Sequence, residues 1–341
     1  MLLATVFAPP VVCAGDLLQP SAEPWDTGWA FALDNDLLFP GAAQDRDYTG
    51  GMSLTIAGRR AQTVPMSLER PREFISNVLG LTPDHLLRHS IEYGLIVFTP
   101  QELHVRREQV GDRPYANLLY IANTGADIDE QREVALLTTL SVGVVGASFM
   151  EDFQVAMHRS IGLRKPVGWE NQISDGGELT GRYSVARTTR HWHGKVSGSQ
   201  AEITGSWRAS VGYLSQLTVG ISSRVGSLDS PWWSYNPQIT DYAEKSVPFI
   251  DGSAEHYGWA GAALHARAYN VFLQGQFRDS QQTFAADELR PLVAEAWLGY
   301  THAFANGWRF SYTLRAQSSE IREGPGDRKV MWGGVVISRR R

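Results

Sequence analysis

Over stretch after stretch of this 341-residue chain, apolar and polar residues alternate with a period of two. No run approaches the roughly 20 apolar residues that a spanning helix needs. A period of two sends successive side chains to opposite faces of a strand. In 308–317, Trp308, Phe310, Tyr312, Leu314 and Ala316 face one way; Arg309, Ser311, Thr313, Arg315 and Gln317 face the other. In 133–144 the outer set is Val134, Leu136, Thr138, Leu140, Val142 and Val144. Segment 269–277 reads as a strand too, with Tyr269, Val271, Leu273, Gly275 and Phe277 on one face. Two architectures show such alternation, a soluble sandwich and a barrel. A strand protein can cross a bilayer only as a closed barrel, because an open edge leaves backbone groups unpaired in hydrocarbon.

Several features favour the barrel. The strands have the 9–11 residues a tilted membrane strand needs. Trp29, Phe31, Trp308 and Tyr312 sit near strand ends, which suits interfacial girdles. The start, MLLATVFAPPVVCAGD, reads as the apolar and cleavage regions of a secretory signal, with a cut after residue 14. It lacks a positive n-region, and a buried apolar strand is the other reading. The end, Val336–Ile337–Ser338–Arg339–Arg340–Arg341, lacks the terminal aromatic usual in outer-membrane barrels. The fold expected is all-β: a closed antiparallel transmembrane barrel of about twelve strands, a single domain over 15–341. Candidate strands lie near 27–34, 51–58, 89–98, 115–123, 132–145, 185–197, 200–210, 213–223, 257–266, 269–277, 292–301, 308–318 and 329–338. Residues 59–88 read as a loop with short helical turns, and 226–255 as a long aromatic loop on one rim.

Segment 147–161 breaks the strand pattern. Met150, Phe153, Met157 and Ile161 recur at helical spacing, Ser148 and Glu151 suit a capping box, and Gly162 suits the stop. Gln154 and His158 are four apart and share a helix face. Histidine titrates near neutrality, so His158 is the best general-base candidate, and Gln154 could hold a water or orient a substrate. A histidine on a short helix is also often only a satisfied polar residue.

A second polar group lies near the N-terminus. Asn35 and Asp36 end the first strand, and Asp45, Asp47, Thr49, Gly50 and Gly51 follow. Oxygen ligands of this kind suit a hard cation such as calcium, and they are equally ordinary loop chemistry. Strands one and two should be neighbours, which brings Thr49 towards Asn35. His191 and His193 would share a strand face, without a third ligand at motif spacing. No Gly-x-Ser-x-Gly elbow is present. Asp112–Arg113 reads as a rim ion pair. Cys13 is the only cysteine and would leave with the signal, which excludes disulfide and zinc-thiolate chemistry. The net charge of −5 is scattered, and nothing favours nucleic acid as a partner.

The ordered set ALDND, DRDYTGG, EYGLIVFTPQEL, GDRPYANLLY, FQVAMH and PVGWENQI resembles the lipid A 3′-O-deacylase family of Gram-negative outer membranes. That resemblance implies a twelve-stranded barrel whose active site lies between the wall and a helix of an extracellular loop. It implies a calcium-dependent esterase like secreted phospholipase A2. By motif match, Asn35 and Asp36 fall on the polar pair ending strand one, with calcium among their roles. Thr49 falls on the active-site threonine, His158 on the base and Gln154 one turn earlier. Arg113 is the candidate for meeting lipid A phosphates.

The leading expectation is therefore an outer-membrane ester hydrolase that removes the 3′-acyloxyacyl group from lipid A, a monomer among outer-membrane lipids. A non-enzymatic channel or structural barrel would share the strands without needing the polar clusters. An exported β-sandwich that binds glycans through its aromatic loop would show two stacked sheets.

Overall fold

The computed structural model describes residues 23–41, 46–162, 165–235, 237, 242 and 254–340. The expected signal segment, Cys13 and Asp45 lie outside them. Twelve antiparallel strands close into a barrel. They are β1 (Gly28–Asn35), β2 (Asp47–Ala57), β3 (Leu86–Thr99), β4 (Ala116–Asp129), β5 (Val134–Val145) and β6 (Glu178–Val196). The circuit continues through β7 (Ser199–Gly212), β8 (Leu214–Ser227), β9 (Glu255–Asn270), β10 (Leu292–Ala303), β11 (Trp308–Gln317) and β12 (Val330–Arg340). Each strand pairs with its sequence neighbours. β12 closes on β1 in a register running from Gly28 opposite Arg340 to Asn35 opposite Gly333. Both described chain ends lie at one rim, the termini rim; Asn35 and Asp47 lie at the other, the site rim.

The alternation reads as expected on β11. Phe310 and Tyr312 are exposed on the outer wall, whereas Arg309 pairs with Glu255 (2.6 Å) and Arg315 with Glu295 (2.5 Å) inside. On β5, Ala135, Leu137, Ser141 and Gly143 are buried between the partly exposed Val134, Leu136, Leu140 and Val142. At the termini rim, Trp29 meets Trp308 edge-on at 5.7 Å, and Arg339 lies 5.2 Å over the Trp308 ring. Amphipathic aromatics of this kind suit the headgroup level.

The expected strand over 269–277 does not form. β9 ends at Asn270, whose side chain accepts from the Phe272 N–H (3.0 Å) and caps a four-residue helical turn, Val271–Gln274. Gly275 then takes φ 68, which a strand does not. Val271, Phe272 and Leu273 are all buried, so the turn folds inward and the apparent alternation there is a coincidence of composition.

The aromatic loop also departs from the expected arrangement. It joins β8 to β9 at the termini rim, and its described aromatics lie in the lumen. Trp232 and Trp233 pack against Ala126, Leu137 and Ala186 on the inner wall. Tyr242 lies at the far end, packed with Tyr48, Phe98 and Trp332, and its hydroxyl donates to Gln317 Oε1 (2.6 Å). Beside it lies a buried ionic network. Glu320 pairs with Arg113 and Arg267 and accepts from Asn270 Nδ2 (2.9 Å), while Arg328 bridges Asp47 (2.8 Å) and Asp112 (2.7 Å).

Residues 59–88 hold more than short turns. A ten-residue helix, α1 (Glu69–Val78), packs against the outside of the wall at the termini rim. Arg72 donates to Thr138 Oγ1, and Ser76 shares a 2.9 Å hydrogen bond with Tyr183.

Candidate active site

A second helix, α2 (Met150–Ile161), lies over the outer wall at the site rim. Met150 packs with Leu95 and Val97 of β3, Met52 of β2, Tyr115 and Trp169. Gly162, at φ 75, ends the helix and donates to the His158 carbonyl. The expected capping box is absent: Phe149 stands at the N-cap without a side-chain hydrogen bond. One face of α2 is polar yet turned to the wall, with Gln154 1% and His158 2% exposed. Phe153 lies more than a third exposed.

The wall opposite is shaped by a β-bulge. On β2, Tyr48 pairs with Phe98 and Gly50 with Val97, so Thr49 is the extra residue between them. A bulge re-aims a side chain. Tyr48 turns into the lumen, while Thr49 meets the hydroxyl of Thr99. Across the hairpin, Asn35 Nδ2 donates to the Thr49 carbonyl (2.7 Å). Asn35 Oδ1 accepts from the Leu37 N–H (2.8 Å), capping a single turn that begins at Asp36. Asp36 is 2% exposed and accepts from the Arg46 N–H through Oδ2 (2.8 Å). Gly50 leaves room for this close approach, because a Cβ there would lie 2.7 Å from the Asp34 carbonyl oxygen.

Asn35, Thr49 and Gln154 line one cleft together with Leu33, Met52, Leu95, Val97, Phe153 and Met157. Asp36 follows Asn35 directly. His158 sits one turn beyond Gln154 on the same buried face. The hydrogen-bond partner of Gln154 was not foreseen. Trp169 Nε1 donates to Gln154 Oε1 (2.8 Å), and an indole N–H can only donate. The amide is therefore oriented, and its Nε2 is buried without a protein acceptor among the described residues. Trp169 is held by Tyr115 at a ring separation of 4.8 Å, and the Tyr115 hydroxyl donates to the Val167 carbonyl (2.8 Å). Asn117 ties the loop down by donating to Gln172 Oε1 (2.7 Å) and accepting from the Ala147 N–H (3.0 Å). The segments GDRPYANLLY and PVGWENQI carry Tyr115, Asn117 and Trp169, but no spacing within them announces these contacts.

Other candidates lie elsewhere. A bulge between Arg190 and Trp192 breaks the alternation, so His191 and His193 are not a simple same-face pair; both are exposed. Arg113 does not face lipid. It is 2% exposed, paired with Glu320 and 5.1 Å over the Phe98 ring in the lumen, so the expected phosphate contact is ruled out by burial. Among the described residues, the His and carboxylate groups close enough together to hold a metal ion are Glu69, Glu73 and His89. They lie at the termini rim, and Glu69 is already engaged by Arg72. At the site rim Asp36, Asn35 and Thr49 offer oxygens, a carboxylate, an amide and a hydroxyl. That set fits a hard divalent cation such as calcium better than zinc.

A closed barrel with a lipid-facing wall and a polar cleft under an outer helix defines the class: an outer-membrane β-barrel protein with its polar cleft on the lipid-facing side. A family model described as outer membrane protein LpxR matches residues 1–341. The structure of LpxR from Salmonella typhimurium superposes with a TM-score of 0.71 at 19% identity, covering 92% of this chain and 99% of that one. A bacterial polysaccharide outer-membrane secretin reaches a TM-score of 0.30 at 10% identity, covering 93% and 99%. A mutant of the monoaromatic hydrocarbon channel TodX reaches 0.34 at 9% identity, covering 93% and 91%. Neither of these two distant likenesses carries an argument. No curated protein matches the sequence. The chain belongs to the LpxR family, the lipid A 3′-O-deacylases of the outer membrane.

Proposed function

We propose that this chain is a calcium-dependent esterase that removes the 3′-acyloxyacyl group from lipid A. The observation that carries the reading is Gln154, buried against the outer wall of a membrane barrel in one cleft with Asn35 and Thr49, with His158 buried one turn further along the same helix face. Trp169 satisfies the Gln154 oxygen, but Nε2 is buried without a protein acceptor among the described residues, which costs free energy unless a ligand takes it up. The apolar part of the cleft suits acyl chains, which reach it without leaving the bilayer. An even number of strands places both chain ends on one side, away from the site, and the proposed reading has the site rim outward, where lipid A resides.

In the proposed reaction His158 takes a proton from water, directly or through a second water. The water oxygen attacks the ester carbonyl carbon. Gln154 Nε2, its orientation set by Trp169, donates to the carbonyl oxygen as negative charge develops there. The tetrahedral species collapses by breaking the bond to the alcohol oxygen, which takes the proton back from His158. The products are a free acid and a hydroxyl on the remaining lipid. Asp36 and Asn35 would hold the calcium, with the Thr49 hydroxyl beside them. When bound, that ion supplies Lewis-acid polarisation of the carbonyl. The test is mass spectrometry of lipid A from cells with and without the protein: loss of the acyloxyacyl mass is expected, and an unchanged lipid A would end the proposal.

Chelation is expected to stop turnover, and added calcium to restore it. Asp36→Asn keeps the size of the side chain but removes its charge, so it should raise the calcium needed for half-maximal activity more than it disturbs folding. Full activity in a chelated sample would remove the metal from the scheme. Trp169→Phe keeps an aromatic ring but removes the indole donor. It should lower kcat by about fivefold, the worth of one hydrogen bond near 1 kcal/mol, while KM changes little. A change in KM alone would show that Trp169 acts only through packing.

The lumen argues against the channel reading. Trp232, Trp233 and Tyr242 pack inside it against the inner walls, and the ionic network around Glu320 lies at the site rim.

A further inference from the structure

The helix α1 is amphipathic in the reverse sense to a helix packed on a protein core. At roughly 100° per residue, Glu69, Arg72 and Ser76 fall on one stripe. All three are buried, and that stripe faces the barrel. Arg72 pairs with Glu69 and donates to Thr138, and Ser76 bonds to Tyr183. The opposite stripe carries Phe74 and Val78, exposed to 69% and 70%. Leu79, just past the helix, is 55% exposed. Against water this arrangement is inverted: the apolar groups are left out and the charged ones are enclosed.

The surface under α1 is the outer wall. Thr138 shares the outward face of β5 with Leu140 and Val142. Asn123, on the same face of β4 as the exposed Leu119, accepts from the Leu68 N–H (2.8 Å) at the start of the helix. Tyr93, on the outward face of β3, donates to the Pro65 carbonyl (2.9 Å). Thr138 lies four residues from the start of β5, roughly 13 Å along the strand at 3.3 Å per residue. The helix therefore covers the wall near the termini rim, and its apolar stripe continues the lipid-facing belt beyond it.

We propose that α1 is an in-plane interfacial helix, with Phe74, Val78 and Leu79 immersed in the acyl chains of the leaflet at the termini rim. The polar stripe is satisfied by the barrel, as hydrocarbon requires of any polar group at that depth. The apolar stripe faces lipid, which leaves no inversion to explain. The helix thereby anchors the barrel in the leaflet opposite the one that holds the proposed active site. This inference stands on α1 and the outer wall alone and does not depend on the proposed catalysis.

The test uses the full chain in phosphatidylcholine–phosphatidylglycerol vesicles. Phe74→Cys and Val78→Cys are made separately in a Cys13→Ser chain, and each is labelled with the environment-sensitive fluorophore NBD. Asn77→Cys, on the polar flank of the helix, is the reference. All three positions are exposed, so the barrel fold is not at stake. Labels at 74 and 78 should emit at shorter wavelength than the label at 77. They should lose most of their emission to lipids carrying a doxyl quencher near the headgroup, less to a quencher near the chain end, and little to aqueous iodide. Iodide quenching at 74 and 78 equal to that at 77, with no effect of doxyl lipid, would overturn the proposal. So would protection from both quenchers, which would mean that protein covers this face.

Discussion

Replacing His158 by alanine is expected to abolish ester hydrolysis while the barrel still folds. Removing a general base costs about 10²–10⁴-fold in rate. The side chain is 2% exposed, and it lies on the face of α2 that also carries Gln154 into the cleft. α2 is an appendage on the outer wall, and the ring of twelve paired strands does not run through it. A loss of activity should therefore come without a loss of heat-resistant barrel. His191→Ala is the control, since His191 is exposed within the β6 bulge and should leave the rate near normal. Deacylation measured on lipid A by mass spectrometry separates the cases. Equal losses in the two variants, or near-normal turnover without His158, would refute the assignment.

The second large effect is expected in stability. Glu320 is 3% exposed between Arg113 and Arg267, and Asn270 donates to it. Burial alone would push its carboxyl up. Arg113 foremost, then Arg267 and the hydrogen bonds, outweigh that and hold it at about 2, below the ordinary 4.5. Glu320→Gln leaves two buried guanidinium groups facing a neutral amide, and breaking such a pair costs about 3–5 kcal/mol. The pH dependence follows from the lowered value. The contribution of Glu320 is complete above about pH 4.5 and falls away as the pH drops towards 2. Urea titrations of the refolded barrel should show a large gap between parent and variant at pH 7, narrowing below pH 4. A gap that stays constant to pH 3 would mean that the charge is not what stabilises the network.

The barrel was legible because each lipid-facing strand must alternate, and β11 and β5 do so. The same rule misled over 269–277, where alternation arose on a capped turn buried by tertiary packing. It was also silent about α1, whose polar residues point at protein: a helix with its pattern reversed looks like a loop unless its surroundings are known. Gln154 and His158 were legible from helical spacing. Their roles came from the resemblance, since spacing alone also fits a merely satisfied histidine. Trp169 and Tyr115 were invisible as partners because the contacts join segments 15 to 54 residues apart along the chain through tertiary packing. Arg113 was misplaced because a rim arginine and a lumen arginine look identical before the register is known.

The extra residue in β2 has a consequence for how this chain can vary. Tyr48 and Gly50 lie two residues apart and yet face opposite ways, because Thr49 between them has no partner of its own on β3. What is specified along the paired strand is a count as much as an identity. Many substitutions along β2 alter one contact. Deleting Thr49 would leave Tyr48 and Gly50 adjacent, opposite the adjacent Phe98 and Val97, so every facing would survive and only the threonine aimed at Thr99 would be lost. Adding or removing a residue elsewhere in β2 would turn everything beyond it to the other face. Along the paired part of β2, drift is thus open to replacement and closed to changes of length, whereas at the bulge a lost residue would keep the barrel and remove the threonine.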